Sequence, residues 1–255
     1  MKIFIIILLP LLLGCPICAP VAARTSPTWP VMPSNSQFFD SGPQATLEVA
    51  IRAHDPSGLQ RALAAGANVN ATGKFGVTPL MIAVDVQDLG AVKALLAAGA
   101  LANARAADRN GAVSLAAKSY RAEPNGRGIL AAVIKGGGDP DSRQPDGDPV
   151  LMQMILAHDA AGLRLMTSLG AHLDVLDRGG DPFITNVAMS ADWDMVWALL
   201  ELGAAYDYER GQTRQPLSKS LSLRYPAPDS PLYPYKLKVW QFLKDKGIAV
   251  QPLKN

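Results

Sequence analysis

The clearest apolar pattern in the chain is Val92-x-x-Leu95-Leu96-Ala97-Ala98-Gly99-Ala100. It predicts a short helix with one buried stripe that stops at a glycine. The closing tag recurs as Ala64-Ala65-Gly66-Ala67-Asn68-Val69-Asn70, and Gly66 and Gly99 are 33 residues apart. Gly137-Gly138-Asp139-Pro140-Asp141, Gly170-Ala171-His172-Leu173-Asp174 and Gly203-Ala204-Ala205-Tyr206-Asp207 follow at the same step of 33 from one another. Such self-similarity predicts a stack of small helical units, each resting on its neighbours.

The second unit is the most explicit. It opens with Gly76-Val77-Thr78-Pro79-Leu80-Met81-Ile82-Ala83 and closes at Gly99-Ala100. Thr78 is placed to cap a first helix and Pro79 to sit in its first turn, where no backbone N–H is needed. Ala83 is small where two helices cross, and Gly99 suits a left-handed helix end. These residues resemble an ankyrin repeat, with Met81 where that family usually has His.

Other segments align to the same frame. Unit one runs from Ala45 to Asn70, with Leu47 and Ala50 in the places of Leu80 and Ala83. Unit three begins at Gly111, holds Leu115 and carries an insertion over Glu123–Gly128. Units four and five begin at Gly147 and Gly180, and each start lies 23 residues before its closing glycine, as Gly76 does before Gly99. A distorted sixth unit starts at Gln215-Pro216-Leu217, takes Trp240-x-x-Leu243 as its second helix and ends at Gly247, with a proline-rich insertion over 224–235. The resemblance implies an all-α ankyrin-repeat solenoid of about six helix-turn-helix units with projecting hairpin loops. It spans 44–250 and leaves 251–255 as a tail.

Ahead of the repeats, Lys2 and the apolar run Ile3–Leu13 read as a secretory signal of bacterial type. Two processing points stand side by side. Cleavage after Val21-Ala22-Ala23 makes 1–23 the signal peptide and removes both cysteines, Cys15 and Cys18. Alternatively, Leu12-Leu13-Gly14-Cys15 resembles a lipoprotein box, making 1–14 the signal and Cys15 the lipidated residue. Both routes predict export to the periplasm. Residues 24–43, with Pro27, Pro30, Pro33 and Pro43, read as an extended linker.

The formal net charge of +2 carries no nucleic-acid signature, but it hides an asymmetry. Residues 139–209 hold 3 basic and 13 acidic groups, whereas 210–255 hold 9 basic and 2 acidic. Asp141, Asp146, Asp148, Asp174, Asp177, Asp181, Asp207 and Glu209 fall at expected hairpin tips and predict an acidic ridge. Phe75, Tyr206 and Tyr208 at tips, and Tyr233 beside the proline-rich insertion, are aromatic anchors of the type that binding surfaces use. Trp193 and Trp197, four apart, place at least one indole in the core.

The sequence offers little for catalysis. His54 and His158 each lie 12 residues before their tag glycine and so share one repeat position, and His172 lies in a tag. A repeated position indicates scaffold. The aspartates around 139–148 lack the bend glycine of a calcium loop and have Arg143 at a ligand place. No nucleophile elbow or phosphate loop is present. The expectation is a non-enzymatic, monomeric protein-binding module without cofactor, metal or nucleic acid. Exported ankyrin proteins include immunity proteins that block antibacterial effectors, such as phospholipases delivered by type VI secretion. Others are associated with catalase, and a lipid on Cys15 implies an envelope adaptor. Of these, the resemblance points first to immunity, with a secreted effector or periplasmic enzyme of basic surface as the partner.

Overall fold

A computed structural model describes residues 37–121, 124–177, 179–206, 216–222 and 226–253. The chain separates into Met1–Ser34 and Asn35–Asn255, and every described residue belongs to the second unit. The signal segment, Cys15 and most of the proline-rich linker lie outside the described residues.

The described residues form an all-α fold of paired short helices. α1 (Gly42–Arg52) pairs with α2 (Pro56–Ala64), α3 (Pro79–Asp85) with α4 (Leu89–Ala97), and α5 (Ala112–Ser119) with α6 (Gly126–Lys135). α7 (Met152–Leu156) pairs with α8 (Ala160–Ser168) and α9 (Phe183–Met189) with α10 (Trp193–Glu201). Beyond them, α11 (Leu217–Ser220) packs on α9, and α12 (Tyr233–Asp245) packs on α10. First helices stack on first helices, as α1 on α3 on α5, and second on second, as α2 on α4 on α6. α12 starts at Tyr233, so the end of the proline-rich insertion is already helical.

The recurring tag has a backbone cause. Gly66, Gly99, Gly137, Gly170 and Gly203 all take φ between 90° and 98°. The N–H of the residue after each then reaches back to a carbonyl in the last turn. Ala67 donates to Ala62 at 3.0 Å, Ala100 to Leu95 at 2.9 Å, Ala171 to Met166 at 3.0 Å and Ala204 to Leu199 at 3.0 Å. This is a Schellman closure, and the four alanine side chains are buried against the helix they end. In the third tag, a Cβ on Gly138 would sit 2.7 Å from Val113 Cγ2, so glycine replaces alanine there.

A second left-handed turn joins the two helices of a pair. His54, Gln87, His158 and Ala191 have φ of 50°, 56°, 49° and 63°. Each is followed by an aspartate at the N-cap of the second helix: Asp55, Asp88, Asp159 and Asp192. Asp88 accepts the Ala91 N–H at 2.9 Å and Asp159 that of Gly162 at 2.8 Å. The scaffold reading of His54 and His158 thus has a physical form, a non-glycine turn held in the αL region.

Thr78 caps α3 by accepting the Met81 N–H at 3.4 Å. The Met81 side chain is buried, an apolar group where a histidine would need hydrogen-bond partners. Leu47, Ile51, Leu80, Leu95, Ile129, Met154 and Phe183 are part of the core, and Trp193 lies wholly within it. At the long junction between α5 and α8, the buried Tyr120 hydroxyl donates to Asp159 at 2.7 Å, and Arg127 reaches the same carboxylate at 3.0 Å. Burial, then that carboxylate, pushes the Tyr120 phenol up to about 12.

Gly99→Ala is expected to cost about 1–2 kcal/mol, the strain of an L side chain in the left-handed region. Urea unfolding followed by circular dichroism checks this, with the folded-state helix content unchanged.

Candidate functional site

Between one pair and the next the chain projects a hairpin. Each is closed at its base by one amide: Gly73 to Val77 O at 2.9 Å, Ala106 to Asn110 O at 2.8 Å, Gln144 to Asp148 O at 2.8 Å and Asp177 to Asp181 O at 2.9 Å. Short antiparallel bridges, Arg105 with Gly111, Arg143 with Pro149 and Leu176 with Pro182, extend three of them toward the helices.

The hairpins are tied to one another by side chains four residues after each tag glycine. Asn70 Oδ1 accepts the Leu101 N–H at 2.8 Å, and Asn103 Oδ1 that of Asp139 at 2.8 Å. Asp141 accepts the His172 N–H at 2.8 Å and Asp174 that of Ala205 at 2.7 Å. Arginine adds a second tie. Arg105 donates to Arg109 O within its own hairpin and to Arg143 O in the next. Arg143 does the same with Gly147 O and Leu176 O. Arg143 therefore has a structural duty where a calcium loop would need an oxygen.

The residues marked in the sequence fall into distinct environments. Phe75 lies at the tip over Lys74–Gly76 with φ of 59° and 55 % of its surface exposed. Asp146 and Asp174 are exposed, while Asp141, Asp177 and Asp181 are half-buried. Asp177 accepts from the Gly179 and Asp181 amides and from Asn186 Nδ2, at 2.7, 3.0 and 2.7 Å, so its carboxylate organises its own hairpin. Asp148 is buried at the hairpin base rather than standing at its tip, because its carbonyl closes the turn and its N–H turns back to Asp146. Tyr206 packs edge-on against Phe242 at 5.1 Å, in a cluster that also joins Trp197 to Phe242 at 6.3 Å. Lys238 lies over Trp197 and Tyr235 in the same region. Tyr233 opens α12, half-buried. Asp207, Tyr208, Glu209 and Cys15 lie outside the described residues.

Two residues that the sequence reading passed over stand out on the first-helix column. Leu156 is 68 % exposed and Met189 is 52 % exposed, and they end α7 and α9. They are 33 residues apart, at the place where α1 and α3 carry Arg52 and Asp85. An apolar side chain at a position that is charged in the earlier units was a readable signal.

The ankyrin repeat family pattern matches residues 75–109, from the tip at Phe75 through α3 and α4 to the tip at Arg109. That stretch is an ankyrin repeat. No curated protein matches the chain. The stacked helix pairs and projecting hairpins around the repeat make the region a protein–protein interaction module. Among the described residues no three of His, Cys, Asp and Glu are grouped to hold a metal ion, and no helix is long and apolar enough to cross a membrane.

All three histidines pair with a carboxylate of a neighbouring unit. His54 Nδ1 lies 3.1 Å from Asp88, and His158 Nδ1 lies 3.0 Å from Asp194 with its Nε2 3.5 Å from Asp192. His172 Nδ1 lies 2.5 Å from Asp141. The hydrogen bond to Asp194 raises the His158 pKa, and that to Asp141 raises the pKa of His172. A raised folded-state value means stability that is full below the ordinary imidazole value of about 6.5 and lost as pH climbs through the folded value. Thermal stability is therefore expected to fall as pH rises from about 6 to 8. His158→Gln is expected to remove part of that slope, as read by melting curves across the interval.

Proposed function

We propose that the chain is an exported protein-binding module that neutralises an antibacterial effector of phospholipase type by direct contact, as a periplasmic immunity protein. The observation that carries binding is Phe75. It holds a left-handed backbone conformation that costs an L residue about 1–2 kcal/mol, while leaving most of its ring in solvent on the projecting tip of the ankyrin repeat. The Phe75 carbonyl accepts the Ala107 N–H of the next hairpin at 2.8 Å, so the turn belongs to the fold, while the exposed ring is of the kind that anchors a partner. Export rests on the apolar run Ile3–Leu13 after Lys2. The immunity role is supported by that address together with a surface built for contact rather than chemistry.

The acidic band acts at longer range. Asp141, Asp174 and Asp177 accept amide hydrogen bonds, so the residues that order the hairpins also place acidic groups along the same edge. Such an arrangement speeds the approach of a partner with a basic face. Asp146, exposed at its tip while it accepts the Asp148 N–H, stands where a partner would meet it. The first-helix column adds Leu156 and Met189 as an apolar strip.

Capture of the tagged protein from an envelope extract, with mass spectrometry of what stays bound, tests the reading. A stoichiometric toxin or lipase is the expected result. A catalase in its place moves the chain to an accessory role in peroxide defence, and palmitate labelling dependent on Cys15 moves it to a lipid-held adaptor. With the partner in hand, Phe75→Gly is expected to hold or raise the melting temperature while weakening binding by about tenfold or more, since it removes both the backbone strain and the anchor.

A further inference from the structure

Four buried side-chain atoms have no hydrogen-bond partner among the described residues: Gln87 Oε1, Thr185 Oγ1, Trp193 Nε1 and Ser220 Oγ. Three of them belong to α9, α10 and α11, toward the C-terminal end of the stack. Thr185, Trp193 and Ser220 are all buried. A polar atom that loses water without gaining a partner weakens the packing that covers it.

The elements that close this end bring few directed bonds to it. α11 has four residues, packs on α9 and has no side-chain cap, and α12 packs on α10, also without one. α12 buries Lys236, whose Nζ lies 5.7 Å from the centre of the Trp193 ring. Burial lowers the pKa of that amine, because the charged form has lost water. What holds α12 is mainly apolar and aromatic contact. Val239 and Leu243 are buried, and Phe242 meets Trp197 and Tyr206 edge-on.

The N-terminal end is fastened differently. Glu48 is buried, and its Oε2 accepts the Phe38 and Phe39 N–H groups at 2.8 and 3.1 Å. Its Oε1 takes the Arg52 Nε–H at 2.9 Å, and the Arg52 guanidinium lies over the Phe38 ring. The Phe38 carbonyl accepts the Lys74 N–H at 2.9 Å, so the segment before α1 is tied to both the helix and the first hairpin. A terminal unit of any stack has one neighbour instead of two, which makes both ends candidates to open. Here one end is sealed by hydrogen bonds to a buried carboxylate, and the other closes over polar atoms that have none.

We propose that α11 and α12 form a detachable cap, which opens as one piece while α1 to α10 stay folded and which bares Trp193 when it opens. On opening, Trp193 Nε1 and Ser220 Oγ regain water, and this offsets part of the apolar contact that is lost. Local opening of this kind draws on the least stable part of a fold. The stack thereby has a second state, with a fresh apolar face at one end only. The cap does not rest on the protein-binding reading.

Hydrogen exchange of the full-length protein, resolved by mass spectrometry of its peptides, tests the cap. Residues 217–220 and 233–245 are expected to exchange together and about tenfold or more faster than α3 and α4, with α1 and α2 on the slow side. Ser220→Ala removes an unpartnered hydroxyl from the cap itself. It is expected to slow exchange in α12 about tenfold and to leave α3 and α4 unchanged. Exchange in α12 as slow as in α4, or loosening of α1 ahead of α12, would overturn the proposal. So would unchanged or faster exchange of α12 in Ser220→Ala, the mark of a hydroxyl that is bonded in the closed state. None of these outcomes bears on which partner the protein captures.

Discussion

The stack depends on one repeated hydrogen bond between units. A side chain carbonyl or carboxylate oxygen, at Asn70, Asn103, Asp141 and Asp174, accepts a backbone N–H from the unit that follows. Helix packing alone allows neighbouring pairs to slide or rotate, because apolar contact is non-directional. A directed bond to a fixed amide sets the offset, and setting it four times places the hairpins side by side. The arginine ties of Arg105 and Arg143 work at the same edge. The row of hairpin tips and the acidic band are consequences of that alignment.

Much of the scaffold was legible because its causes are local. A glycine followed by alanine is what a left-handed helix end with a buried next residue requires, so the tag could be read without tertiary information. Thr78 and Pro79 marked a helix start for equally local reasons. Less was legible where a residue answers to a distant partner. Asp141, Asp174 and Asp177 looked like free surface charge, and their amide partners become visible only when the hairpins stand in register. The carboxamides of Asn70 and Asn103 share the frame of Asp141 and Asp174. Comparing position by position, rather than by charge, would have grouped all four.

Composition also concealed the use made of the aromatic and apolar residues. Tyr206 reads as a tip residue, yet the end of the stack draws it against Phe242, because α12 supplies a ring within reach. Leu156 and Met189, which the sequence reading passed over, stand in solvent. In both cases what decided burial was the neighbouring unit's contribution at that height, which hydropathy along one segment does not encode.

The repeated side-chain tie also bears on how such a chain changes length. Each unit presents an acceptor at its trailing edge and an amide at its leading edge, and the same backbone N–H to side-chain Oδ1 bond recurs at four successive boundaries, with a carboxamide at two and a carboxylate at two. A segment duplicated or deleted between two tag glycines would thus bring a compatible joint with it. The junction around Tyr120, Arg127 and Asp159 is different, since its three-way contact is unlike that of any other boundary described here. Gene-level insertion or loss of whole units would be tolerated on either side of that junction and opposed across it. The surface would then evolve by shuffling interchangeable modules around one fixed seam.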